Sequence, residues 1–162
     1  MALPRAAAPL LRALGSERGR KLDARVVRFT GHSPYAALFA RQIGSSYRRP
    51  IAVTTIGRRS GRRRTIAISY TELPDGFAIV ASAGGSPREP HWLANLREDP
   101  VAWVHLGRRE IPVRASILEG DAKQPLWDEI CARVPLYADY QAKAGRDIPV
   151  VVLRPEPGRA GR

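Results

Sequence analysis

The stretch that decides the fold is Ile51-Ala-Val-Thr-Thr-Ile-Gly-Arg-Arg-Ser-Gly-Arg-Arg-Arg-Thr-Ile-Ala-Ile-Ser-Tyr70. Its two β-branched apolar runs, 51–56 and 65–70, predict two strands, and the glycines and arginines between them predict a connecting turn. Glycine permits the positive φ that a tight turn requires, while guanidinium groups and free amides are donors that match phosphate or carboxylate oxygens. We interpret loop 57–64 as an anion-binding turn. An exposed basic hairpin tip is the alternative that the loop alone leaves open.

Strand and helix patterns continue on both sides of this stretch. Apolar runs predict further strands at 77–81, 101–106, 111–117 and 148–153. Helical spacing predicts helices at 34–43, 90–96 and 121–133, with a last helical turn at 137–140. The near-continuous apolar run of the last strand predicts a central place in the sheet. Six mostly antiparallel strands with short helices predict an α+β domain, folded as a small closed barrel.

Composition and charge narrow the class of protein. The chain has 162 residues, 44% of them hydrophobic, which suits one domain with a core. Its formal net charge of +12 is concentrated in residues 1–50 and in the loop region 51–64, and the remainder is close to neutral. A protein that binds nucleic acid usually spreads basic charge over its folded surface, so we expect no nucleic-acid partner. A basic nucleic-acid-binding module is kept as the alternative from a different class.

The ends of the chain are predicted to differ from its body. We expect a basic N-terminal arm and short helix over 1–46, the folded domain over 47–155, and a disordered tail over 156–162. Leu10, Leu11 and Leu14 with nearby basic residues could lie on an anionic bilayer, but a partly disordered arm or a helix packed on the domain is favoured. The single Cys131 allows no disulfide framework, which indicates a reducing, cytoplasmic compartment, with contact at the inner face of the membrane left open.

A second glycine-rich segment, Val80-Ala-Ser-Ala-Gly-Gly85, closes a predicted strand. Small residues there let a flat ligand approach the backbone, although an ordinary glycine loop is the simpler interpretation. No other motif carries chemistry. The spacing of a phosphate-binding P-loop is absent, the three histidines lack a second ligand at metal-binding spacing, and no nucleophile elbow is present. We therefore predict no metal site.

Five segments together carry a family resemblance. They are Thr54–Arg64, Ala81–Gly85, Pro90–Leu96, Pro135–Gln141 and Arg146–Leu153. In this order they resemble the deazaflavin-dependent nitroreductase family of actinobacteria. The resemblance implies a split β-barrel, related to flavin-mononucleotide-binding reductases, that binds reduced coenzyme F420 and passes its hydride to a quinone, a nitro compound or another planar acceptor. A protein of the same fold that binds flavin mononucleotide (FMN) is the alternative, and a homodimer is left open.

The resemblance also implies which residues form the site. Those expected to hold the phosphate and the anionic glutamyl tail are Arg58, Arg59, Ser60 and Arg64, with Thr65, Ile66 and Ser69 continuing that wall along the strand. Those expected to line or cover the deazaflavin ring are Val80, Ala81, Ser82, Ala83, His91, Trp92 and Asn95. Tyr137 and Tyr140 would face the substrate as candidate catalytic phenols, with Tyr137 also beside the cofactor.

Two positions depart from the family pattern. Relatives often have lysine where this chain has Ala83, and tyrosine where it has Ser69, with Tyr70 displaced to the other face of the strand. The resemblance therefore implies a cofactor contact that is missing or replaced, and an acceptor pocket of different shape.

Overall fold

The computed structural model describes residues 8–42, 49–107 and 109–156. The predicted arm before residue 8, the predicted helix end at Ile43 and the predicted tail after Glu156 lie outside these ranges. The strands are Ile51–Ile56 (β1), Arg63–Ile68 (β2), Tyr70–Leu73 (β3), Gly76–Val80 (β4), Val101–Leu106 (β5), Arg109–Leu118 (β6) and Val150–Pro155 (β7). The α-helices are Ala8–Gly15 (α1), Glu17–Thr30 (α2), Pro34–Gln42 (α3), His91–Glu98 (α4), Gln124–Arg133 (α5) and Leu136–Ala144 (α6).

All seven strands form one antiparallel sheet in the order β2-β1-β5-β6-β7-β4-β3. Its two edge strands, β2 and β3, follow each other in the chain with only Ser69 between them, so the sheet curls until its edges meet there. This α+β split barrel confirms the predicted fold class. The predicted strand 65–70 is divided, because Ile68 pairs with Ile51 on one side while Tyr70 pairs with Ile79 on the other.

Other predicted elements also have shifted limits. The predicted helix 121–133 is a 3-10 helix, Gly120–Lys123, followed by α5. Pro125 stands in the first turn of α5, where its missing N–H costs no helical bond. The last strand begins at Val150 rather than at Ile148, because the Ile148 amide donates to the side chain of Gln141 at 3.0 Å. The strand is central as predicted, between β6 and β4.

The core has two parts because β4 and β7 are buried on both faces. Ile79 and Val151 belong to the main cluster, which also holds Leu93 from α4. The alternate residues Val80 and Val150 belong to a second cluster, against which α5 and α6 pack. Two-sided burial explains why these strands lack an apolar and polar alternation.

Helix α2 packs on the outer face of β1 and β2, and α1 and α3 contact α2. Ala24 and Val27 of α2 are buried there. Asp23, also buried, accepts hydrogen bonds from the Ser33 hydroxyl at 2.6 Å and the Tyr35 amide at 3.1 Å, which fixes the start of α3. The short helix predicted after residue 33 is confirmed, and α1 and α2 precede it. In the described ranges, no helix has the length and apolar character that crossing a bilayer requires.

Candidate cofactor site

The arginine loop, residues 57–64, is closed by its own backbone. The amide of Gly57 donates to the carbonyl of Arg62 at 2.9 Å, and the amides of Ser60 and Gly61 donate to the carbonyl of Gly57 at 2.9 and 2.8 Å. Gly61 has a φ of +63°, a conformation that side chains rarely adopt. Residues 58–64 are exposed, so the turn presents its arginine side chains and Ser60 to solvent.

Asn95 of α4 holds the start of the arginine loop. Its Oδ1 accepts from the backbone N of Arg58 at 3.2 Å and from Arg58 Nη1 at 3.3 Å, while its Nδ2 donates to Thr55 Oγ1 at 3.0 Å. The resemblance implies that Asn95 covers the cofactor ring, which stays a prediction. In the structure both ends of its buried amide are bonded to protein, so Asn95 connects α4 to β1 and to the loop.

The arginines of the loop are not equivalent. Arg63 donates to Glu110 Oε1 at 2.9 Å, and its guanidinium lies 4.0 Å from the centre of the Trp103 ring. The side chain of Arg64 donates to the hydroxyl of Ser60 at 3.4 Å. Within ranges 8–42, 49–107 and 109–156, no carboxylate forms an ion pair with the four remaining arginines. These are Arg58, Arg59, Arg62 and Arg64. Four arginines without a carboxylate partner on one turn suit a ligand with several anionic oxygens.

The side chains expected to continue this wall lie on different faces of β2. Ile66 packs against the main core, and Arg64 shares its face because side chains alternate along a strand. Thr65 faces the other way and lies 2.8 Å from Thr54 Oγ1 through its own hydroxyl. Ser69 is exposed at the bend between β2 and β3. Of the three predicted wall residues, the structure therefore puts only Ile66 on the face of Arg64.

A buried polar chain extends from Thr65 beneath α2. The Thr54 hydroxyl lies 2.8 Å from His105 Nε2, and His105 Nδ1 lies 3.6 Å from Glu110 Oε2. Burial lowers the pKa of His105 below its ordinary value of 6.5, with the nearby Arg28 acting in the same direction. His105 is therefore neutral at physiological pH and serves as a hydrogen-bonding group between strands.

The second glycine segment forms a left-handed turn, residues 82–86. Ala83, Gly84 and Gly85 have φ values of +46°, +66° and +77°, and the Gly85 amide donates to the Ser82 carbonyl at 2.9 Å. Among the described residues, Ala83 is the only non-glycine residue with a positive φ. Such a conformation costs an alanine roughly 1–2 kcal/mol, so surrounding contacts must maintain it.

The left-handed turn presents backbone rather than side chains. Val80 and Ala81 are buried in the two core clusters, whereas Ala83 and Gly84 are exposed. In the described part of the chain, nothing accepts from the amides of Ala83 and Gly84 or bonds to the nearly buried hydroxyl of Ser82. These donors suit the polar edge of a flat ligand.

The structure places one residue at the start of α4, Trp92, differently from the prediction. Trp92 is only 9% exposed and belongs to the main core, because it shares the inward face of α4 with Leu93 and Leu96. The expectation that Trp92 covers the ring from outside the core is corrected on this point. His91 is exposed, and its carbonyl is 3.5 Å from Arg58 Nη1.

The two predicted phenols do share one face of α6. The rings of Tyr137 and Tyr140 meet edge to face with centroids 6.2 Å apart, and both are half-buried against the second core cluster. The backbone of α6 touches the left-handed turn, since a Cβ on Gly85 would lie 3.3 Å from the Cα of Tyr140. Burial raises the pKa of the Tyr140 phenol above 10, so it is protonated at neutral pH.

Sequence reasoning assigned no role to two basic residues, Lys123 and Arg146. Lys123 is buried, forms an ion pair with Asp147, and donates to the carbonyl of Ile148 at 2.8 Å. Arg146 donates to backbone carbonyls of the turn and its flanking residue. A single lysine or arginine between apolar segments carries no sequence signal of such contacts.

The family model for F420H(2)-dependent quinone reductases matches residues 28–155. This range contains the arginine loop, the left-handed turn, α4 and α6. The chain belongs to this family. The suspected resemblance is thereby confirmed.

Curated relatives from Mycobacterium tuberculosis H37Rv agree with this membership. A protein named F420H(2)-dependent quinone reductase is 33% identical over 102 residues, covering 61% of this chain and 68% of the relative. Another, provisionally named as a reductase of the same kind, is 31% identical over 120 residues, covering 70% of this chain and 98% of the relative.

Solved structures show the same fold. An F420-H2 dependent reductase, FDR-A, is 34% identical with a TM-score of 0.59, covering 66% of this chain and 95% of that one. A structure described as a domain-swapped dimer has the same identity and TM-score and is covered over 81% of its length. An Agrobacterium tumefaciens protein of unknown function shares the fold at 21% identity, with a TM-score of 0.53 over 95% of this chain. A homodimer of this chain stays a prediction.

Proposed function

We propose that this protein is an oxidoreductase that binds reduced coenzyme F420 and reduces a quinone. Family membership supports the reaction class. The observation that carries the cofactor assignment is the set of four arginines on one turn without carboxylate partners in the described ranges. A cofactor that ends in phosphate and several carboxylates requires such a concentration of positive charge.

The residues present fit this cofactor in two separate regions. Arg58, Arg59, Arg64 and Ser60 would hold its phosphate and glutamyl tail through charge-assisted hydrogen bonds. The amides of Ala83 and Gly84 with the Ser82 hydroxyl would hydrogen-bond to polar atoms of the ring. When bound, the reduced deazaflavin supplies the hydride.

The remaining task of the protein is to stabilise negative charge on the acceptor. Tyr140 is our candidate donor, because its phenol is protonated at neutral pH and α6 holds it beside the left-handed turn. Tyr137 would place its ring next to both the cofactor and the acceptor. A hydroxyl donor serves a quinone oxygen or a nitro oxygen equally, so a nitro compound is a second acceptor for the same site.

Cofactor binding and turnover test this proposal directly. Purified protein is titrated with F420 and, separately, with FMN, and binding is followed by fluorescence. Oxidation of F420H2 is then followed by absorbance with a soluble quinone or a nitroaromatic compound. We expect tight, salt-sensitive binding of F420, weaker binding of FMN, and faster oxidation with the quinone. Tighter binding of FMN, or no oxidation of F420H2 by either acceptor, would overturn the proposal.

We further propose that the outward face of α1 and α2 contacts an anionic membrane surface. Leu10, Leu22 and Phe29 are 52%, 56% and 64% exposed. Leu22 and Phe29 lie seven positions apart and therefore share one face of α2. The same two helices carry six exposed basic residues, against one exposed acidic residue, Glu17. The basic residues are Arg12, Arg18, Arg20, Lys21, Arg25 and Arg28. Exposed apolar side chains on basic helices match an anionic bilayer, in which an apolar quinone also dissolves.

Sedimentation with lipid vesicles tests the membrane contact. We expect the protein to sediment with vesicles that contain phosphatidylglycerol and to remain in solution with phosphatidylcholine alone. The double variant Leu22→Asp, Phe29→Asp should lose binding while it keeps turnover with a soluble quinone. Equal binding to both vesicle types, or unchanged binding of the double variant, would contradict the proposal.

A further inference from the structure

Arg146 connects both ends of the left-handed turn. Its Nη2 donates to the carbonyl of Ala81 at 2.9 Å, and its Nε donates to the carbonyl of Ser86 at 3.2 Å. A longer contact of 3.5 Å joins Nη2 to the carbonyl of Ser82. One planar guanidinium therefore bridges the residue before the turn and the last residue of the turn.

The side chain of Arg146 donates its hydrogen bonds to groups of the protein itself. Its remaining contact is from Nη1 to the carbonyl of Asp147 at 3.1 Å, so all four of its acceptors are backbone carbonyls. Within the described ranges it forms no ion pair with a carboxylate. An arginine in this arrangement acts through the fixed geometry of its donors rather than by offering charge to a ligand.

The backbone of Arg146 is itself fixed from α6. Its carbonyl accepts from Gln141 Nε2 at 2.7 Å, and Gln141 Oε1 accepts from the amide of Ile148 at 3.0 Å. On the other side, a Cβ on Gly85 would lie 3.2 Å from Lys143 Cδ. The turn is therefore held between Arg146 and the surface of α6, the helix that carries both candidate phenols.

We propose that Arg146 is a positioning residue that fixes the left-handed turn relative to α6. The bridge offsets the strain of a positive φ at Ala83 and keeps the free amides of the turn in one orientation. On the proposed function, on which this inference rests, those amides meet the cofactor ring and α6 meets the acceptor. Arg146 thus sets the relative placement of the two reactants without touching either one.

Hydrogen exchange on the free protein tests the bridge without any cofactor. The amides of Gly85 and Ser86 donate within the turn, at 2.9 and 3.3 Å, and are protected while the turn is held. In Arg146→Lys, one ammonium cannot span both ends, so exchange at these amides should accelerate by about tenfold or more. Arg154→Lys is the matched control. It shortens an exposed arginine that is paired with Asp75, and it should leave the turn unchanged.

Kinetics separate positioning from general stability. Below the melting transition of each variant, Arg146→Lys and Arg146→Ala should lower kcat about tenfold at saturating F420H2 and raise the Kd for F420 less, because the arginine loop supplies most of the affinity. Normal exchange at Gly85 and Ser86 in Arg146→Lys would overturn the inference, and so would a lower melting temperature with normal kcat. If the parent protein fails to bind F420, the proposed function fails, while the exchange experiment still decides whether Arg146 holds the turn.

Discussion

The two loops of the candidate site are built in opposite ways. The arginine loop presents cations and is held by uncharged groups, chiefly the Asn95 amide and the loop's own backbone. The left-handed turn presents uncharged backbone and is held by a cation, Arg146. The arginine loop therefore offers charged groups to a ligand and is supported by uncharged ones. The left-handed turn offers uncharged amides and is supported by a charged guanidinium.

This difference teaches how to distinguish binding arginines from structural ones. The side chains of Arg59 and Arg62 are exposed and have no protein partner in the described ranges, whereas the side chain of Arg146 has four carbonyl acceptors. Arg63, in the middle of the basic run, is already paired with Glu110. Only cations without internal partners can form full hydrogen bonds with an incoming anion without first breaking a bond.

The largest expected effect comes from removing charge from the arginine loop. Arg59→Ala and Arg64→Ala should each weaken F420 binding by about 10- to 100-fold, the range for a hydrogen bond to a charged group, with a smaller change in kcat. Arg63→Ala is the control within the same loop, and it should change affinity little because Arg63 is occupied by Glu110. Fluorescence titration measures all three. Equal loss in the three variants would mean that overall charge, rather than partner availability, determines binding.

The Tyr140 phenol should affect turnover rather than binding. Tyr140→Phe keeps the packing against the second core cluster and removes only the hydroxyl, so kcat should fall about tenfold with cofactor Kd and melting temperature nearly unchanged. Tyr137→Phe is the comparison on the same helix face. Parental turnover in folded, F420-saturated Tyr140→Phe would remove the donor role and leave Tyr140 as a packing residue.

Substitutions at two adjacent glycines distinguish the effect of the backbone conformation of the turn from the effect of its contact with α6. Gly84→Ala and Gly85→Ala each place a side chain at positive φ and should each cost about 1–2 kcal/mol. A Cβ on Gly84 meets nothing within 4 Å, whereas a Cβ on Gly85 would lie 3.3 Å from Tyr140 Cα. Denaturant unfolding and steady-state kinetics should therefore show a further loss of stability and of kcat only for Gly85→Ala. Identical behaviour of the two variants would show that α6 does not fix the turn.

The smallest expected effect is a pH dependence of the free energy of unfolding, caused by His105 in β5. His105 faces Glu110, which favours its protonated form, and Arg28 and Arg63, which disfavour it, while burial dominates and lowers its pKa. As pH falls below 6.5, the unfolded chain takes up a proton before the folded protein does, so the free energy of unfolding decreases. The His105 contribution is complete above that pH.

Thermal melting between about pH 5 and pH 8 measures this dependence. The melting temperature of His105→Gln should fall less toward low pH than that of the parent. His91→Gln changes an exposed histidine, and its melting temperature should follow that of the parent. A decline that is equally steep in His105→Gln would assign the dependence to other groups.

Much of the fold could be predicted because its signals are local. The strands β1 and β5 have the predicted limits, since β-branched runs and turn residues are read from neighbouring positions. The concentration of arginines on one turn was likewise visible, as was the shared face of Tyr137 and Tyr140, which lie three positions apart. The family match confirms the recognition that these segments allowed.

The sequence by itself determined the fold class, the charge of the arginine loop and the family, because composition, alternation and motif order are properties of neighbouring residues. Only the tertiary structure decided which groups are available to a ligand. Arg63 forms an ion pair with Glu110, 47 positions away. The side chain of Asn95 accepts a hydrogen bond from Arg58, 37 positions away. Arg146 holds the left-handed turn through Ser86, 60 positions away, and Ala81, 65 positions away. Trp92 enters the core formed by strands on both sides of it. Such pairings depend on how the curled sheet brings distant segments together, and no spacing along the chain encodes them.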